Sequence, residues 1–117
     1  MKIKRTLAIA SSLTVCALMM TGAMNLEAAG KGKAGDAAKG KETFEQCAVC
    51  HNVDSPEKKM GPSLQGLFKR KSLQSGKPMT DANVLNQINA GGNGMPAYQD
   101  MLSADEKTNL LAYLHTI

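Results

Sequence analysis

Apolar side chains recur at helical spacing in several stretches of this chain, and no stretch alternates convincingly with the period of two that a half-buried strand requires. The last stretch carries the strongest signal. Ser103 and Glu106 form an S-x-x-E capping box, and Leu110, Tyr113, Leu114 and Ile117 follow at i, i+3, i+4 and i+7. A helix is predicted from Thr80 to Ala90, capped by Thr80 or Asp81, with Val84 and Ile88 as its apolar face and Gly91-Gly92 as its stop. Another starts at an Asp36 cap and runs to about Cys50, with Gly40, Phe44 and Cys47 on one face. Gly40 costs helix propensity, so its expected use is the close approach of another helix. After the Gly61-Pro62 breaker, a short helical turn gathers Leu64, Leu67 and Phe68. The pattern predicts an all-α domain of about four short helices with long loops. The loops from His51 to Pro62 and from Phe68 to Met79 are long enough to have something specific to wrap.

The N-terminal pattern is different. Lys2, Lys4 and Arg5 precede an uncharged run from Thr6 to Leu26 whose middle is strongly apolar. This is the charged n-region and apolar h-region of a secretory signal. Thr21-Gly22-Ala23 fits a small-x-small cleavage pattern, so residues 1–23 are expected to be a signal peptide cleaved after Ala23. An uncleaved anchor is the alternative, since the run is long enough to span a bilayer. A lipidated Cys16 fits poorly, because Val15 before it is not small. The Gly-rich segment 24–35 reads as a flexible linker, leaving 36–117 as the folded domain.

Export changes the charge arithmetic. The 117-residue chain has 14 basic and 10 acidic residues and a net charge of +4, which on its face suggests a nucleic acid or another acidic partner. The signal removes three of the basic residues and no acidic one, leaving 11 against 10 and a mature charge of +1. No nucleic-acid motif stands behind the remaining charge, so no nucleic-acid partner is expected. Of three cysteines, Cys16 leaves with the signal. Two phenylalanines, two tyrosines and no tryptophan make a thin core, and domains of this size often need a prosthetic group or other staple.

Cys47-Ala48-Val49-Cys50-His51 supplies one. C-x-x-C-H is the attachment motif of c-type haem. Two thiols three positions apart reach two neighbouring haem vinyl groups from one helical turn, and the next residue places an imidazole under the iron. A Cys47–Cys50 disulfide would close too short a loop to constrain much. A thioredoxin-like dithiol needs an α/β framework. Zinc lacks a second ligand pair, His115 being the only other histidine. An iron–sulfur cluster lacks cysteines. One covalent haem c is therefore expected on Cys47 and Cys50, with His51 as one axial ligand. Candidates for the other ligand are Met60, Met79, Met95, Met101 and His115. Met95 is favoured, because three glycines precede it in Gly91-Gly92-Asn93-Gly94 and Pro96 stiffens the loop after it. Met79 stays open.

With C-A-V-C-H at 47–51, Gly61-Pro62-Ser63-Leu64 with Gly66-Leu67, Gly94-Met95-Pro96-Ala97-Tyr98 and Leu111-Ala112-Tyr113-Leu114, the chain from about residue 35 to 117 resembles the class I monohaem cytochromes c of small bacterial type. The resemblance implies the cytochrome c fold, His51/Met95 ligation, and a crossing of first and last helices where Gly40 and Phe44 face Leu110 and Tyr113. It implies that the Pro62 carbonyl accepts a hydrogen bond from His51 Nδ1, and that Arg70 can meet a haem propionate. The chain departs from the family pattern in two places. Phe44 stands three residues before Cys47, where many members have four, and there is no tryptophan for a propionate.

The expected function is a periplasmic electron carrier, not an enzyme, cycling between Fe(II) and Fe(III). It would be a monomer that meets redox partner proteins transiently, with membrane attachment only if the N-terminal segment is uncleaved. Lys58, Lys59, Lys69, Lys71 and Lys77 are either a docking face or a solvated surface. Other readings are a haem-based sensor or peroxidase-like protein with a labile sixth ligand, and a dedicated electron-transfer subunit of a larger redox complex.

Overall fold

The computed structural model describes residues 34–117, so the expected signal peptide at 1–23 and the linker up to residue 33 lie outside the described residues. Among the described residues three α-helices form, α1 (Ala37–Phe44), α2 (Asp81–Ala90) and α3 (Ala104–Leu114), with a 3-10 turn at Leu67–Lys69 between the first two. No strand forms among the described residues; Ser72 with Pro78 and Gly92 with Met95 make isolated bridges. No helix among them is long and apolar enough to cross a membrane.

Each α-helix starts at the cap its sequence offers. Asp36 accepts from the Ala38 and Lys39 amides, and Thr80 from the Asn83 amide. At α3 the box closes both ways: Ser103 Oγ accepts from Glu106 N at 3.2 Å, and Glu106 Oε2 accepts from Ser103 N at 2.8 Å. These bonds hold the Glu106 carboxyl below its usual range. A depressed folded-state value means that the box stabilises α3 above the ordinary carboxylate pKa, and that this is lost as pH falls through the lower folded value. Ser103→Ala should cost about 1 kcal/mol in urea denaturation at neutral pH. Glu106→Gln should flatten the acid limb of stability against pH; an unchanged limb would show that Glu106 is not its source.

The first helix is shorter than its periodicity suggests. Cys47 N bonds Phe44 O at 2.7 Å, an i to i−3 bond that tightens the chain out of α geometry. Turns then continue to Cys50, with Ala48 N on Phe44 O and His51 N on Cys47 O, both at 3.0 Å.

Helices α1 and α3 cross on glycine. A Cβ on Gly40 would strike the Asn109 carbonyl oxygen and come within 2.8 Å of Tyr113 Cβ. Gly35, the last residue of the expected linker, lies equally close to α3, where a Cβ would fall 2.9 Å from Ala112 Cβ. Phe44 meets Tyr113 with ring centroids 5.4 Å apart and tilted by 52°, a favourable aromatic geometry. The core gathers Phe44, Leu67, Val84, Ile88, Tyr98, Leu102, Leu110 and Leu114. At one edge, His115 stacks on Phe68 at 3.6 Å, and its Nε2 lies 2.7 Å from Asp81 Oδ1, tying the end of α3 to the start of α2.

Candidate functional site

A cavity of about 600 Å³ opens inside this core. Phe44, Leu67, Val84, Ile88, Leu110 and Leu114 form apolar walls, and Cys47, Cys50, His51 and Met95 reach the same space. The volume falls in the range of cofactor sites. A separate polar cleft of about 320 Å³, between Lys77, α2 and Gln99, contains no cysteine, histidine or methionine.

The turn after α1 delivers the two thiols. They are half-buried and not joined in a disulfide. Burial, and secondarily the neighbouring Cys50, push the Cys47 thiol above its usual value. That is opposite to the depressed thiol of a thioredoxin-like site. Tyr98, buried against the cavity, has its hydroxyl pushed up chiefly by burial and further by the same two cysteines.

His51 Nδ1 lies 2.7 Å from the Pro62 carbonyl oxygen. A carbonyl can only accept, so Nδ1 carries the proton of this bond, and in the neutral ring Nε2 is the nitrogen with the lone pair. The segment bearing Pro62 is bound onto the cysteine turn, with Gly61 N on Cys50 O at 2.8 Å, Leu64 N on Asn52 O at 2.7 Å and Lys59 Nζ on Ala48 O at 2.9 Å.

Met95 closes a tight turn. Gly92 and Met95 exchange backbone bonds of 2.9 and 3.1 Å, and the central pair Asn93-Gly94 has φ of 54° and 90°. Positive φ at both central residues is the type I′ requirement, for which Asn-Gly is the preferred pair. The glycines there serve a turn, a signal that the N-G dipeptide already carried. Gly91 is crowded: a Cβ would lie 2.6 Å from the Pro96 carbonyl. Gln87 Nε2 donates to Gly91 O at 2.8 Å, and Tyr98 N to Ile88 O at 3.0 Å, so both ends of the loop are fastened to α2.

Of the other candidate ligands, Met79 lines the cavity, partly buried against the core. Met60 lies at its edge but is 81% exposed. Met101, 62% exposed, and His115, committed to Phe68 and Asp81, do not line it. Arg70 reaches the cavity edge, where Nη2 donates to Ser63 O at 2.9 Å and Gln65 O at 2.7 Å. Sequence reasoning missed Gln87 and Tyr98 as cavity residues, although Gln87 follows Val84 by three positions on the same helix.

A helical chain folded around an apolar cavity, with paired thiols and an Nε2 lone pair at its wall, defines a c-type haem protein. Residues 35–114 match the family described as cytochrome c oxidase, cbb3-type, subunit III. Cytochrome c6 of Diacronema lutheri is 33% identical over 81 residues, 68% of this chain and 94% of that protein. Cytochrome c2 of Blastochloris viridis is 48% identical over 50 residues, 41% of this chain and 39% of that one. The structure of cytochrome c6 from the diatom Phaeodactylum tricornutum matches with a TM-score of 0.56 at 28% identity, over 70% of this chain and 93% of that one. The chain belongs to the class I monohaem cytochromes c. It is an all-α electron-transfer protein with one covalently attached haem c, not an enzyme.

Proposed function

We propose that Cys47 and Cys50 hold the haem through thioethers, that His51 and Met95 are its axial ligands, and that the protein is an exported, periplasmic carrier meeting its redox partners transiently. The observation that carries the ligand assignment is the His51–Pro62 bond, which leaves Nε2 free while Cys47, Cys50 and Met95 reach the same cavity. When bound, the haem supplies one-electron chemistry.

The chain's own residues do the rest. The Pro62 carbonyl orients the His51 ring and raises its basicity as a ligand. The Gly92–Met95 turn presents a neutral thioether, which favours the reduced state. The apolar walls exclude water and disfavour the extra charge of the oxidised state. Arg70, with further N–H donors beyond those used on Ser63 and Gln65, is placed to meet a propionate. Export rests on Lys2, Lys4, Arg5 and the uncharged run that follows.

A dedicated-subunit reading draws on the name of the matched oxidase family. The near-complete coverage of a cytochrome c6 by this chain supports the diffusible carrier instead. Intact mass and the ferric spectrum of the purified protein test the proposal. Expected are the mass of the polypeptide from about residue 24 plus one haem, and a thioether-to-iron charge-transfer band. A bare polypeptide mass would overturn covalent attachment. A high-spin ferric spectrum that shifts with cyanide, or a reduced form that binds CO, would overturn Met95 ligation and favour a sensor or peroxidase-like protein.

A further inference from the structure

Three of the described glycines, Gly35, Gly40 and Gly61, have no positive φ, so backbone conformation does not require glycine there. Gly35 and Gly40 are explained by the crossing of α1 and α3. Gly61 has a different neighbour. The three atoms nearest to a Cβ on it all belong to the imidazole of His51: it would strike Cε1 and lie 2.7 Å from Nδ1 and 3.0 Å from Nε2. Three ring atoms at such distances mean that the bare Cα lies against the ring itself.

The Pro62 bond alone underdetermines the ring. One hydrogen bond at Nδ1 fixes a point, and the terminal torsion of histidine is broad. Contact with the ring at Gly61 restricts the tilt that the bond leaves free. Neither side of the contact can easily give way. Gly61 N is tied to Cys50 O at 2.8 Å and its carbonyl accepts from Lys59 N at 3.2 Å, while the ring is held at 2.7 Å by the next carbonyl in the chain.

We propose that Gly61 is a positioning residue for His51, setting the plane in which Nε2 is presented. The inference rests on His51 being the iron ligand. Gly61→Ala should force the ring to rotate or the Pro62 bond to lengthen, and either change alters the imidazole as a ligand.

The test compares holoprotein variants Gly61→Ala and Gly40→Ala. Both put a methyl group where the structure has no room, but only the first does so against the ring. Both should lower the thermal midpoint. Only Gly61→Ala should displace the reduction potential and the hyperfine-shifted ring-proton resonances of His51. A destabilised Gly61→Ala with wild-type potential and ring shifts would overturn the proposal and leave Gly61 a merely structural glycine. Should that variant fail to mature, the wild-type reduced protein decides: a strong NOE is expected from Gly61 Hα to His51 Hε1, and its absence overturns the proposal. A wild-type spectrum without histidine ligation would instead remove the underlying reading, an outcome separable from the others.

Discussion

Replacing Cys47 and Cys50 together with alanine should yield a chain with the mass of the bare polypeptide and no cooperative unfolding transition. The reason lies in where the cavity sits. Seven of the eight core residues, among them Leu110 at 1% exposure, line it, so the core is a shell around a space rather than a packed interior. At about 24 cal/mol per Å³ for an unfilled cavity, a volume of about 600 Å³ corresponds to an upper bound on the order of 14 kcal/mol. That matches the whole stability of an ordinary domain, about 5–15 kcal/mol. The haem-free variant must therefore collapse or unfold, and circular dichroism during urea denaturation should show a low helical signal with no sigmoid. A haem-free chain with a wild-type transition would contradict a core built on the prosthetic group.

Met95→Ala should have the second largest effect and a different character. The thioethers and His51 remain, so the variant should mature and keep its covalent haem. The charge-transfer band should vanish, and the potential should fall by on the order of a few tenths of a volt, a share of the roughly 0.8 V that axial ligation spans. Loss of a soft neutral ligand and entry of water into an apolar site both favour the oxidised state. Spectroelectrochemistry reads both quantities. Survival of the band would move the assignment to Met79, the other partly buried methionine at the cavity.

The caps and apolar faces of α2 and α3 were legible because capping and periodicity are local. Thr80, Val84 and Ile88, and then Ser103, Glu106, Leu110 and Leu114, take the expected roles. The end of α1 was not legible. Gly40, Phe44 and Cys47 keep helical spacing in the sequence, and the bonds from Glu45 N to Glu42 O and from Cys47 N to Phe44 O show the chain tightening before the thiols. The segment from Lys71 to Met79, without regular pattern in the sequence, folds back on itself through Leu73 N on Lys77 O and Met79 N on Lys71 O.

The chemistry of attachment was legible in five consecutive residues, because two thiols and an imidazole on one turn need no distant partner to be recognised. The opposite ligand was not so confined. Met60, Met79, Met95, Met101 and His115 are all chemically competent in the sequence. Exposure sets Met60 and Met101 apart, and the partners of His115 remove it.

By itself the sequence determined the helical class, the caps and the haem-attachment motif, all of which depend on neighbours within a few positions. Tertiary structure alone decided which methionines reach the cavity, and that Gly61 lies against the imidazole while Gly40 lies against α3. Both questions concern which surfaces meet in space. A glycine's role is set by the atom its missing side chain would have struck, and that atom comes from elsewhere in the folded chain.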